Sequence, residues 1–128
     1  MNKIIKLANK FEKILSKSAQ PEEVDQSWEK DKRELERQLA NMAAKINTDV
    51  GANVIEYAVQ KVPSNLPPGD AKYWKFIVWV GATPEVKDPR DEKWQEASKR
   101  AMYEAKQMIP QWKEYFNRII EVVLGYAA

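Results

Sequence analysis

Hydrophobic and polar positions follow two different periods along this chain, and the period changes where the structure is expected to change. From Asn2 to Ser18, Ile4, Leu7, Ala8, Phe11, Ile14 and Leu15 recur at helical spacing, which predicts an amphipathic helix. Pro21 suits a first helical position, and Glu22, Glu23 and Asp25 suit the positive end of a helix dipole. A second helix is therefore expected over 21–47. Trp28, Leu35 and Met42 stand seven apart on it, and Lys32, Leu39 and Ile46 follow four behind, which makes a heptad seam with one charged member.

The period then drops to two. Ile55, Tyr57 and Val59 alternate with Glu56, Ala58 and Gln60, as in a half-covered strand, so Asn53–Val62 reads as a strand. Pro63 removes a ladder donor, and Pro67-Pro-Gly-Asp70 fits a type II turn with Pro68 and Gly69 at its centre. The most apolar run of the chain, Lys72-Tyr-Trp-Lys-Phe-Ile-Val-Trp-Val-Gly-Ala82, follows. As a strand over Tyr73–Gly81 it completes an antiparallel hairpin at 53–81, with Trp74, Phe76, Val78 and Val80 on a core face. Tyr73, Lys75, Ile77 and Trp79 point the other way. That second face is too apolar for open water and too charged for a deep interior, which makes it the candidate interaction surface. Val54, Glu56 and Ala58 of the partner strand should share it.

The last third reads as one long helix over 88–124, with Asp88 as N-cap, Pro89 at the first helical position and Asp91 at the third. Trp94, Ala101, Met108, Tyr115 and Val122 are spaced by seven, and Ser98, Ala105, Trp112, Ile119 and Tyr126 follow four behind. Pro110 interrupts this stripe, so a kink or break is expected near Gln107 to Ile109. Gly125 is placed to cap the helix. The expected fold is a single α+β domain over 1–128: an N-terminal amphipathic helix (1–18, a docking helix), a long helix, a β-hairpin and a long C-terminal helix kinked at Pro110.

Composition narrows the chemistry. A chain of 128 residues suits one domain. It has no cysteine and no histidine, which removes disulfides, thiolate metal sites, imidazole acid–base catalysis and the usual zinc and haem ligands. The four glycines are scattered, so no phosphate-cradling loop is formed. Asp88, Asp91 and Glu92 are the tightest carboxylate cluster, and they could serve an acid–base pair or a magnesium ion. A helix start accounts for the same spacing, so no catalytic residue, metal site or cofactor is expected. A small carboxylate-dependent enzyme is the weaker alternative.

The net charge is +2, without the basic excess of a nucleic-acid coat. It is unevenly spread, because residues 1–18 hold five lysines against Glu12. Lys3, Lys6, Lys10, Lys13 and Lys17 are spaced 3, 4, 3 and 4, so they form one narrow ridge beside the apolar face. The ridge suits phosphate, an acidic protein, or the chain's own Glu22, Glu23, Asp25 and Glu29. With the hairpin aromatics it supports a nucleic-acid-associated alternative, although Glu56 would repel phosphate. No apolar stretch approaches the roughly 20 residues of a membrane span. Lys6 and Lys10 break what would be a secretory signal, so an untargeted, cytoplasmic chain is the expectation. A hairpin leaves two edges and two faces to cover. The chain is therefore expected to be a non-enzymatic structural or assembly subunit, either a homo-oligomer or part of a larger complex.

Overall fold

The computed structural model describes residues 27–125. The expected docking helix, the lysine ridge, the helix start at Pro21 and the seam position Tyr126 lie outside them. Helix α1 spans Ser27–Val50 and buries Leu35, Leu39, Ala43 and Ile46, a stripe spaced 4, 4 and 3. It runs three residues beyond the expected end. Asn47 does not stop it, because its side chain has partners beyond the helix: Oδ1 accepts from the amides of Val54 (3.1 Å) and Ile55 (3.0 Å), and Nδ2 donates to the Ile55 carbonyl (2.9 Å). Gly51 ends the helix at φ 73, and its amide returns to the Asn47 carbonyl at 3.0 Å. That left-handed conformation is one that glycine adopts without a Cβ clash.

Strands β1 (Ile55–Pro63) and β2 (Trp74–Ala82) form the expected antiparallel pair, in register from Ile55 opposite Ala82 to Pro63 opposite Trp74. The Asp70 amide closes the loop turn on the Pro67 carbonyl at 2.9 Å. Gly51 is the only glycine with positive φ among the described residues, so Gly69 does not make this a type II turn.

Helix α2 spans Glu92–Phe116, and its N-cap is Asp91, which accepts from the Trp94 amide at 2.9 Å. Asp88 is not the cap. Its carboxylate accepts from the Arg90 amide and guanidinium, and the guanidinium holds it below the ordinary aspartate range. α2 passes through exposed Pro110 without interruption. It does not reach residue 124. Asn117 turns left-handed at φ 54, ψ 45, and Ile120–Leu124 forms strand β3, parallel to β2 with Ile120 opposite Phe76 and Leu124 opposite Val80. Gly125 caps no helix; its amide donates to the Val80 carbonyl at 3.0 Å. The hairpin is thus part of a three-stranded mixed sheet ordered β1-β2-β3. Ile119, Ile120, Val122 and Val123 are β-branched, and they satisfy the second edge of β2.

Both helices pack on one face of this sheet. Leu35, Leu39, Ala105, Trp112 and Phe116 close on Val59, Phe76, Val78 and Ile120, while Ala43, Ile46, Trp94, Ala97 and Ala101 close on Ile55, Val80 and Ala82. The buried stripe of α2 includes Ala97, Ala101, Ala105, Trp112 and Phe116, and the heptad member Tyr115 is exposed. A straight helix drifts about 20° per heptad from a seven-residue repeat, so a stripe counted in sevens from Trp94 leaves the core by its third step.

Pro110 gives the first prediction. It removes a hydrogen-bond donor inside α2, and its exposed position performs no packing task. Pro110→Ala should therefore raise stability by about 1–3 kcal/mol, read as a higher urea midpoint at unchanged slope. A lower midpoint would mean that Pro110 helps to set the path by which Trp112 and Phe116 reach the core.

Candidate docking surfaces

The register places the predicted interaction residues on the sheet face away from both helices. Lys75 lies opposite Val62, Ile77 between Gln60 and Glu121, and Trp79 between Ala58 and Val123. The Trp79 indole Nε1 crosses to Gln60 Oε1 at 2.8 Å, and Lys75 Nζ reaches Glu121 Oε1 at 3.2 Å. Lys75, Ile77 and Trp79 are half-buried. Tyr73 lies one residue outside β2, half-buried, with its ring edge-on to Trp74 at 4.9 Å. The structure thus gathers three of the four on one strand face. Gln60 and Val62, together with Glu121 and Val123 of the unforeseen β3, complete that face. Only the run of β-branched residues after Asn117 could have signalled β3.

At the end of the sheet where β1 finishes and β2 begins, two buried cations tie the layers together. Arg118 is 4% exposed. Its guanidinium donates to Asp31 Oδ2 (2.8 Å), Ser27 Oγ (2.8 Å) and the carbonyls of Ala71 (2.9 Å) and Trp74 (3.2 Å). One side chain therefore joins the start of α1, the β1–β2 loop, β2 and the α2–β3 connection. Lys61, 1% exposed, stands beside it with Nζ 3.3 Å from the Trp28 ring centroid and 4.2 Å from that of Trp74. Such desolvated cation–π contacts are worth about 2 kcal/mol. These groups are locked in structural bonds, and this explains why the chain places two bases in its interior.

The outer seam of the two helices is a second surface, and of the heptad positions it exposes Tyr115 while Met42 and Met108 still rest against the core. Tyr103 and Tyr115 are 67% and 71% exposed, the two most exposed large apolar side chains among the described residues. Between α1 and α2, Arg37, Asn41, Met42, Tyr103 and Met108 line an open groove of about 460 Å³. Arg37 also borders the next hollow, beside Lys30, Asp31, Glu34 and Tyr115. Its guanidinium is paired with Glu34 at 2.6 Å, which raises the arginine's proton affinity and lowers that of the glutamate. The seam alternates in charge: Arg37 with Glu34 near Tyr115, and Arg100 with Glu104 and Asp49 beyond Tyr103.

A third hollow, of about 400 Å³, lies between α1 and the edge strand β1, with Leu39, Ala43, Asn47, Ile55 and Tyr57 among its walls. The Tyr57 hydroxyl is buried without a hydrogen-bond partner, and this burial pushes its proton affinity far above that of an ordinary tyrosine. Glu36 and Glu56 are also among its walls. Among the described residues no group of three or more metal-ligating side chains converges, and no helix is long and apolar enough to cross a membrane. The Asp88, Asp91 and Glu92 cluster is divided between an ion pair with Arg90 and the N-cap of α2. No family model, curated protein or solved structure matches this chain.

Proposed function

We propose that the protein is a non-enzymatic assembly subunit that associates with a second copy of itself through the outer seam of α1 and α2. One observation carries this reading. Two exposed tyrosines, two methionines and an exposed arginine gather around one groove system on the helical layer. Tyrosine and arginine are the side chains that most often dominate binding energy, and methionine adapts to a partner's shape. A surface that carries both signs of charge can meet its own copy across a two-fold axis, Arg37 of one against Glu104 of the other.

The nucleic-acid reading has less support. Lys75 is the one base on the open sheet face among the described residues, and it is paired with Glu121, while Glu56 adds a second acid to that face. Phosphate would meet more repulsion than attraction there.

Sedimentation equilibrium of the full chain across a wide concentration range tests the proposal. The mass should rise above the 14.9 kDa of one chain as concentration increases, and Tyr103→Glu should return it to one chain while leaving the thermal transition in place. A single-chain mass at every concentration would overturn the reading.

A further inference from the structure

We infer that the outer edge of β3, beside a row of lysines on α2, receives an extended acidic segment of a partner protein as a fourth strand. The backbone supplies the first argument. Parallel strands bond through alternate residues, and here the Phe76 amide donates to the Ile119 carbonyl while the Gly125 amide donates to that of Val80. By that alternation the amides and carbonyls of Ile120, Val122 and Leu124 point away from β2. Among the described residues no strand lies on that side of β3 to meet them.

The two edges of the sheet differ in how they are protected. At the β1 edge the Asn47 side chain takes the amide and carbonyl of Ile55, Pro63 has no amide to offer, and Lys61 turns its charge inward. These are devices that keep a further strand away. Ile-Glu-Val-Val-Leu at 120–124 has no proline, no glycine and no base. Leu124, on the helix side of the sheet, is 45% exposed. The β3 edge is left able to pair.

The neighbouring flank of α2 selects what pairs with it. On one side of α2, Glu104 and Met108 share the groove with Arg37 and Met42 of α1. The side turned away from α1 carries Lys99, Lys106 and Lys113, spaced by seven and exposed, with half-buried Met102 and Ile109 between that row and the core. The α2 ion pairs of the described residues use Arg100 instead. Seven helical residues advance about 10.5 Å, so the row spans about 21 Å, enough to follow the roughly 17 Å of a five-residue strand. No acid of β3 answers it, because Glu121 points to the opposite sheet face and holds Lys75. A second copy pairing β3 against β3 would bring two lysine rows together, and like charges there oppose it. An extended segment with acids on the side facing α2 meets the row with the opposite sign and covers Leu124.

Nitrogen-15 protein of full length, titrated with an acetylated heptapeptide of alternating glutamate and valine, tests this. Bound peptide should slow hydrogen exchange of the Val122 and Leu124 amides, while those of Glu121 and Val123, already turned to β2, keep their rates. Lys106→Glu should weaken binding about tenfold with the thermal transition in place. Leu124→Pro removes an outward amide and no bond to β2, so it should weaken binding as well. Unchanged exchange at Val122 and Leu124 in millimolar peptide would overturn the inference. Equal protection by a heptapeptide of alternating lysine and valine would overturn it too, by showing that charge selects nothing. Protection that grows with protein concentration before any peptide is added would give the edge to a second copy instead. The seam lies on the other side of α2, so self-association is decided separately, by the mass of Tyr103→Glu.

Discussion

Arg118→Ala should lower the unfolding free energy by about 3–5 kcal/mol, the largest loss expected from any single truncation outside the apolar core. The guanidinium is 4% exposed and makes four hydrogen bonds, one of them to the carboxylate of Asp31. Removing it leaves that carboxylate and the buried Trp74 carbonyl without their donor, while the exposed Ser27 and Ala71 can turn to water. Breaking a buried pair from one side costs far more than the pair's net worth, because the surviving charge stays desolvated. Asp31→Asn should cost less, since its amide oxygen still accepts from the guanidinium and the side chain of Asp31 is 19% exposed. A domain of this size holds roughly 5–15 kcal/mol in total. The alanine variant therefore approaches the limit of folding, and urea denaturation at constant slope measures the deficit. A loss under about 1 kcal/mol would mean that water replaces the guanidinium at all four sites.

The reach of the sequence can be judged from these same residues. Strand β2 was legible because Trp74, Phe76, Val78 and Val80 alternate without a break, and a period of two sustained from 74 to 80 suits a strand and would scatter the same side chains around a helix. β1 was legible for the same local reason, to within about two residues at each boundary, and α1 to within three residues at its C-terminal end. β3 was not. Ile119 and Val122 also fit the heptad count, and what makes 120–124 a strand is the open edge of β2, some forty residues away in the chain. Asn117, with its tolerance of left-handed backbone, was the one local mark that the helix stops.

Arg118 was illegible in a stronger sense. Nothing in the string Phe-Asn-Arg-Ile-Ile says that its charge is buried, because its partners come from Ser27, Asp31, Ala71 and Trp74. The same holds for Lys61, whose place in β1 alternates onto the inner face and whose ammonium lies there against the rings of Trp28 and Trp74. Of the candidate surface, the outward set Lys75, Ile77 and Trp79 follows from alternation alone. The helical seam was hidden by a difference between 3.5 and 3.6 residues per turn, enough to turn Tyr115 from an expected core position to the most exposed aromatic among the described residues.

Trp79→Lys separates three ways of covering the open sheet face. The substitution leaves Trp74, Phe76, Val78 and Val80 of the core face unchanged. It deletes the indole that donates to Gln60 and sets an ammonium beside Ala58 and Val123. Neither Glu56 nor Glu121 lies directly opposite position 79, so the new ammonium has no carboxylate across either ladder. Loss of the half-buried ring costs up to about 3 kcal/mol, and an ill-paired charge adds to it. The expected result is a fall of about 3–5 kcal/mol with the concentration dependence of mass preserved in whatever fraction remains folded. Trp79→Phe keeps the apolar layer and loses only the Gln60 bond, so it should cost about 1 kcal/mol. Were the face a contact between copies instead, the lysine variant would keep its stability and lose assembled mass. Were it a platform for single-stranded nucleic acid, Trp79→Lys would bind better than Trp79→Ala, because phosphate welcomes the added charge while both variants lack the stacking ring. A fully stable, fully assembled Trp79→Lys protein would show a face that nothing covers.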